Sequence, residues 1–129
     1  MSGMAHWSPR LALILVVGLS ACTPAPQAGA EGSKDIEIVA TEMRFSPNRI
    51  DARVGQAIHI TIVNRGSQRH DFAFQSIDMP GLRGVETLTM PGQSTTVTLN
   101  FDTPGTFPFL CTIEGHAASG MTGAVFVSP

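Results

Sequence analysis

The sequence predicts an all-β sandwich of seven or eight short strands. Three observations carry that expectation. Apolar and polar residues alternate with a period of two in several segments. Turn-forming Pro, Gly and Asn residues punctuate these segments at short intervals. No segment beyond residue 33 repeats its apolar residues with the period of a helix. With 129 residues in all, the chain is long enough for one such domain.

The first 33 residues read differently from the rest. Met1 to Arg10 is polar with one arginine, and Leu11 to Leu19 is a nine-residue apolar run. A helix that spans a bilayer needs about 20 residues. A short basic start, an apolar middle and small residues before a cut make a secretory signal over residues 1–21. Leu19-Ser20-Ala21-Cys22 resembles the bacterial lipobox, which implies acylation of Cys22 as the first residue of the mature protein. Several acyl chains would anchor the protein stably to the outer side of a membrane, in the periplasm or exterior of a bacterial envelope. Residues 22–33 are small, rich in Pro and Gly and nearly uncharged, the composition of a flexible leash. The domain proper is expected over 34–129.

Within that domain, Ile36 and Ile38 alternate with Glu37, and Arg49–Val54 is a second candidate strand. Gln56–Asn64 shows the clearest pattern, with Ile58, Ile60 and Ile62 on one face and His59 and Thr61 on the other. Asp71–Ile77 and Glu86–Thr89 follow. Val97, Leu99 and Phe101 then alternate against Thr96, Thr98 and Asn100. Thr106–Cys111 and Gly120–Val127 complete the set. The separators are Ser46-Pro47-Asn48, Asn64-Arg65-Gly66, Met79-Pro80-Gly81, Met90-Pro91-Gly92 and Thr103-Pro104-Gly105. Pro-Gly at the centre of a turn suits type II geometry, because Pro sets φ and Gly accepts a positive φ. Strand order is not legible from this pattern.

Charge excludes some partners. From Cys22 onward the chain has seven Lys and Arg against ten Asp and Glu, scattered rather than in blocks. Nothing here forms a basic surface for nucleic acid.

The chemistry concentrates near the C-terminus. Cys111, His116 and Met121 lie five residues apart in one segment, and His70 is available upstream. A thiolate and two imidazoles with a weak thioether form the donor set that suits copper changing oxidation state. Taken singly, a buried Cys is an ordinary small hydrophobe and a Met beside a strand is ordinary core. A disulfide between Cys22 and Cys111 is the other use for two cysteines in an exported chain. The combination and its spacing favour the metal. His59 is expected on the outer face of its strand, Glu114 in solvent, and Met43, Met79 and Met90 in core or turns. No nucleophile–base arrangement, phosphate loop or carboxylate pair is evident.

At these residues the chain resembles the cupredoxin family of blue copper proteins. Pro104-Gly-Thr-Phe-Pro-Phe-Leu-Cys111, His116, Met121 and His70-Asp71-Phe72 carry the likeness, which extends over roughly Ile36 to Val127. The Cys-x4-His-x4-Met spacing is similar to the azurin, auracyanin and rusticyanin branch. The resemblance implies a Greek-key β-sandwich with one type 1 copper ion and single-electron transfer between redox partner proteins. His70, Cys111 and His116 would be the trigonal ligands and Met121 the axial one. Asp71 stands where the family usually has Asn, and Thr112 fits the family pattern. Asp71 is expected to accept a hydrogen bond from the backbone near Thr112, and its charge to favour Cu(II). The implied role is that of a monomeric, membrane-tethered electron shuttle and not of an enzyme. Copper oxidases need further histidines, and a dinuclear site needs a second cysteine where Gly115 stands. Electrons are expected to leave by the edge of His116, ringed by Ala117, Ala118, Pro80 and Leu82. The competing role for the same ligands is copper storage or delivery.

Overall fold

In the computed structural model, residues 32–75, 84 and 86–129, together with Gly3, are described. The signal segment, Cys22 and its leash, Met79, Pro80 and Leu82 all lie outside those residues. Eight strands form two four-stranded sheets, and no helix occurs among the described residues. The strands are β1 (Lys34–Thr41), β2 (Arg44–Ser46), β3 (Arg49–Arg53), β4 (Ile58–Asn64), β5 (Ala73–Phe74), β6 (Ser94–Leu99), β7 (Gly105–Leu110) and β8 (Thr122–Ser128).

One sheet has the order β2-β1-β4-β6 and the other β3-β8-β7-β5. Both are mixed: β1 runs parallel to β4 and β3 parallel to β8, while the other pairs are antiparallel. Strict alternation along β4 follows from this placement. Ile58, Ile60 and Ile62 are fully buried between the sheets, and His59, Thr61 and Val63 face outward, half-buried. His59 Nδ1 lies 3.0 Å from Thr98 Oγ1 across the β4–β6 ladder, on the outer face as expected.

Six phenylalanines build one linked aromatic cluster inside the sandwich. Phe45, Phe72, Phe74 and Phe109 meet at centroid distances of 4.6–6.1 Å, and Phe74 joins Phe101, which stacks on Phe107. Removing one fully buried ring from such a cluster costs about 3–5 kcal/mol. Phe126 lies apart, with the Arg49 guanidinium 3.8 Å above its ring. Gly123 makes the close packing of β7 on β8 possible. A Cβ there would stand 2.3 Å from the Phe109 ring and 2.4 Å from the Asn48 carbonyl.

The structure departs from the expected elements at four places. β2 was not among the expected strands, and its last residue, Ser46, was expected in the Ser46-Pro47-Asn48 turn; its pairing with β1 comes from the Thr41–Arg44 reversal. Asp71–Ile77 shortens to Ala73–Phe74 among its described residues. Glu86–Thr89 reduces to one bridge between Thr89 and His70. Pro104-Gly105 leads directly into β7 rather than centring a turn. Pro91-Gly92 does form the expected turn: Gly92 has φ of 75° and the Gln93 N–H donates to the Met90 carbonyl at 2.9 Å.

Candidate metal centre

Strand register carries the site's parts to one pole. Ala73 pairs with Leu110 across β5 and β7, so two residues further out Asp71 comes opposite Thr112. Leu110 pairs with Thr122 across β7 and β8, and one step beyond it the Cys111 N–H donates to the Met121 carbonyl at 3.1 Å. His70 is fixed on its other side by reciprocal backbone bonds with Thr89, at 3.1 and 2.7 Å. Two ladders and one isolated bridge therefore bring His70 to the loop that carries Cys111, His116 and Met121.

Between Cys111 and Met121 the chain makes a tight series of turns. The His116 N–H donates to the Ile113 carbonyl, the Ser119 N–H to Gly115 and His116, the Gly120 N–H to Ala117, and the Met121 N–H back to His116, all at 2.9–3.1 Å. Gly115 and Gly120 have φ of 81° and 105°, values that side chains with a Cβ rarely adopt. This is the physical reason for a glycine at each place.

The result is a preassembled donor cluster. One donor atom from each of His70, Cys111 and His116 lies within 4.8 Å of the other two. His70 Nδ1 is 3.3 Å from His116 Nδ1, and Cys111 Sγ is 3.5 Å from the same nitrogen. His70, Cys111 and Met121 are fully buried, and His116 is 4% exposed. Burial pushes the Cys111 thiol above its ordinary range, and burial, then His116, pushes His70 below its own. His70 Nε2 is buried without a hydrogen-bond partner among the described residues. Two imidazole nitrogens and a sulfur converging among buried side chains fit a soft or borderline transition metal. Binding would displace the thiol proton, since the thiolate is the ligand.

The surroundings are organised around the same atoms. Asp71, 2% exposed, accepts the Thr112 N–H at 2.6 Å through Oδ1 and the Thr112 hydroxyl through Oδ2. Gly84 closes over this pair; a Cβ there would stand 2.5 Å from both Asp71 Oδ2 and Thr112 Oγ1. Glu114 is exposed and stands outside the group of His70, Cys111 and His116; Met43 is half-buried and Met90 46% exposed. Ala117 and Ala118 sit at the surface beside His116.

Two contributors were missed by sequence reasoning. Gln68 Oε1 lies 3.2 Å from His116 Nε2. Glu42 Oε1 accepts the Ser67 and Gln68 N–H groups and the Ser67 hydroxyl, which holds its carboxyl at a pKa of about 2. Glu42 carried no sequence signal, and Gln68 was marked only as part of the Asn64–Arg69 turn signal that precedes His70.

Known proteins share this fold. A family model described as a cupredoxin-like domain matches residues 11–122. The chloroplastic plastocyanin of Physcomitrium patens is 31% identical over 134 residues, covering 98% of this chain and 69% of that protein. Among solved structures, the dithionite-reduced auracyanin of Roseiflexus castenholzii superposes with a TM-score of 0.64 at 26% identity, over 77% of this chain and 100% of the other. Auracyanin A of Chloroflexus aurantiacus, described as a "blue" copper protein, superposes with a TM-score of 0.62 at 20% identity, over 74% of this chain and 99% of the other. By family match, relative and fold together, the chain belongs to the cupredoxin family.

Proposed function

We propose that the protein carries single electrons through one type 1 copper ion held by His70 Nδ1, Cys111 Sγ and His116 Nδ1, with Met121 as the weak axial donor. The convergence of those three donor atoms within 4.8 Å in a buried pocket carries the proposal. When bound, copper supplies a centre that alternates between Cu(I) and Cu(II). The protein's part is to hold the donors in one arrangement for both states, which keeps the reorganisation small. Backbone bonds from Cys111 to Met121 and from Met121 to His116 tie three donors together, and the Thr89 bridge fixes the fourth. The plastocyanin and auracyanin relatives support electron carriage over catalysis. The two auracyanins match over nearly their whole lengths.

The N-terminal segment extends the proposal to location. Acylation of Cys22 would tether the domain by residues 22–33 to an envelope membrane, facing the periplasm or exterior, as a monomer meeting redox partner proteins. Cys22→Ala should then leave an uncleaved or mis-sorted precursor, and a mature N-terminus recovered as a free, unmodified peptide would refute the tether.

The decisive experiment is the visible absorption spectrum of the copper-loaded domain. An intense thiolate-to-Cu(II) charge-transfer band is expected, and Cys111→Ser should abolish it. A colourless Cu(II) complex of the wild-type domain would overturn the proposal.

A further inference from the structure

The outward edge of His116 is not bare. Gln68 Oε1 stands 3.2 Å from His116 Nε2, while His116 Nδ1 points inward toward Cys111 Sγ at 3.5 Å and His70 Nδ1 at 3.3 Å. The two ring nitrogens therefore face opposite tasks, and a neutral imidazole has only one proton to place.

We infer that Gln68 is a positioning residue that sets the tautomer of His116, holding the ring proton on Nε2 and leaving the Nδ1 lone pair free for the metal. An amide oxygen can only accept, so the nitrogen facing it must donate. Once Nε2 carries the proton, Nδ1 presents its pair to the pocket before any metal arrives. In the metal-free protein that pair accepts instead from the Cys111 thiol or the His70 ring. Ligating histidines are commonly oriented through their second nitrogen, and His70 shows the contrast, since its own Nε2 has no partner among the described residues. The tautomer of His116 is thus set from outside the pocket.

An exposed glutamine could hold such a place only if its backbone were fixed, and the structure fixes it three ways. The Gln68 N–H donates to Glu42 Oε1 at 3.1 Å, and the Gln68 carbonyl accepts the Asn64 side-chain amide at 2.7 Å. The Ser67 N–H and hydroxyl donate to the same Glu42 oxygen. Gly66 leaves room for that carboxylate to lie against the turn, because a Cβ there would stand 2.7 Å from Glu42 Oε1. The β1–β2 turn thereby supports a ligand to which it makes no direct hydrogen bond. The carboxylate's low pKa, about 2, keeps it an acceptor throughout the neutral range. Asn64 adds rigidity, since its amide also donates to the Thr89 carbonyl at 2.8 Å, and Thr89 holds His70. One turn is therefore linked to both histidines.

The purpose assigned to Gln68 rests on the copper reading, but its test need not. In the metal-free domain, nitrogen NMR of the imidazole rings reports which nitrogen of His116 carries the proton. Wild type is expected to show a single Nε2–H form. Gln68→Leu should give a mixture with substantial Nδ1–H, and Gln68→Glu, which keeps an acceptor oxygen, should restore the Nε2–H form. Glu42→Gln should produce a weaker version of the leucine effect by loosening the turn. Copper affinity of Gln68→Leu should fall about two- to tenfold, the equilibrium worth of one net hydrogen bond. An unchanged tautomer in Gln68→Leu, or a wild-type His116 protonated on Nδ1, would overturn the inference. A leucine effect without any Glu42→Gln effect would overturn the clamp. A correct tautomer result with a colourless copper complex would instead sink the electron-transfer reading alone.

Discussion

The Asp71 carboxylate grips Thr112 at two points, accepting its N–H at 2.6 Å through Oδ1 and its hydroxyl through Oδ2. These residues follow His70 and Cys111 directly, so the contact pins one donor-bearing segment to the other. It also places an acidic group beside the donor cluster. Asparagine could keep the backbone bond through its amide oxygen and, with the Thr112 hydroxyl turned, donate to it.

Asp71→Asn should therefore keep the spectrum nearly unchanged and raise the reduction potential, because a charge favouring Cu(II) is gone. The rise should be on the order of 50–100 mV, the scale of one unit charge acting across a moderately polar protein interior. Redox titration of the two proteins measures it directly. Loss of copper from the variant would make Asp71 a ligand and the proposed donor set wrong.

Met121→Leu should keep the visible band and raise the potential by removing an axial donor. Met121 is fully buried, and a Leu of similar volume there should cost less than about 1.5 kcal/mol of stability. A thermal melt of the variant will show whether lost colour, if seen, comes from lost fold. A colour and potential both equal to wild type would remove Met121 from the copper site.

The metal-free domain should be most stable in a bounded pH window. Burial lowers His70 below its ordinary 6.5, so as the pH falls through that value the unfolded chain takes up a proton that the folded one refuses. Stability present above 6.5 is then lost toward the folded pKa, by up to about 1.4 kcal/mol per pH unit. Burial raises Cys111 above its ordinary 9.0, so above that value the unfolded chain sheds a proton that the folded one retains, and stability falls again. Denaturation of the metal-free domain from pH 5 to 10 tests both limbs. Cys111→Ser should flatten the alkaline one. A wild-type alkaline limb that survives this substitution would show that it has another source.

Shuttle and copper carrier differ in how firmly reduced copper is held. The donors here lie on ladder ends and a turn series already closed by backbone bonds. Repeated reduction and reoxidation beside a competing Cu(I) chelator should make the band vanish and return with little loss of metal. Rapid transfer of copper to the chelator on reduction would favour delivery.

Much of this molecule is determined by sequence over short distances. The alternation of Ile58, Ile60 and Ile62 against His59 and Thr61 assigns β4 and its faces, because side chains on a strand point to opposite sides in turn. Cys111, His116 and Met121 reveal a donor set because a single short loop carries all three, and Gly115 and Gly120 mark the backbone reversals that close it. Tertiary structure decided whatever depends on which segments become neighbours. A period of two says which face is buried but not which strand lies alongside, so strand order, the pairing of β2 and the shrinkage of Glu86–Thr89 to one bridge were not legible. The registers of β5 on β7 and β7 on β8 bring Asp71 to Thr112 and Met121 to Cys111. Glu42 and Gln68 acquire their roles only there, since an exposed acid and an exposed amide have no local signature. Their meaning comes from the turn and the imidazole that folding places within hydrogen-bonding distance.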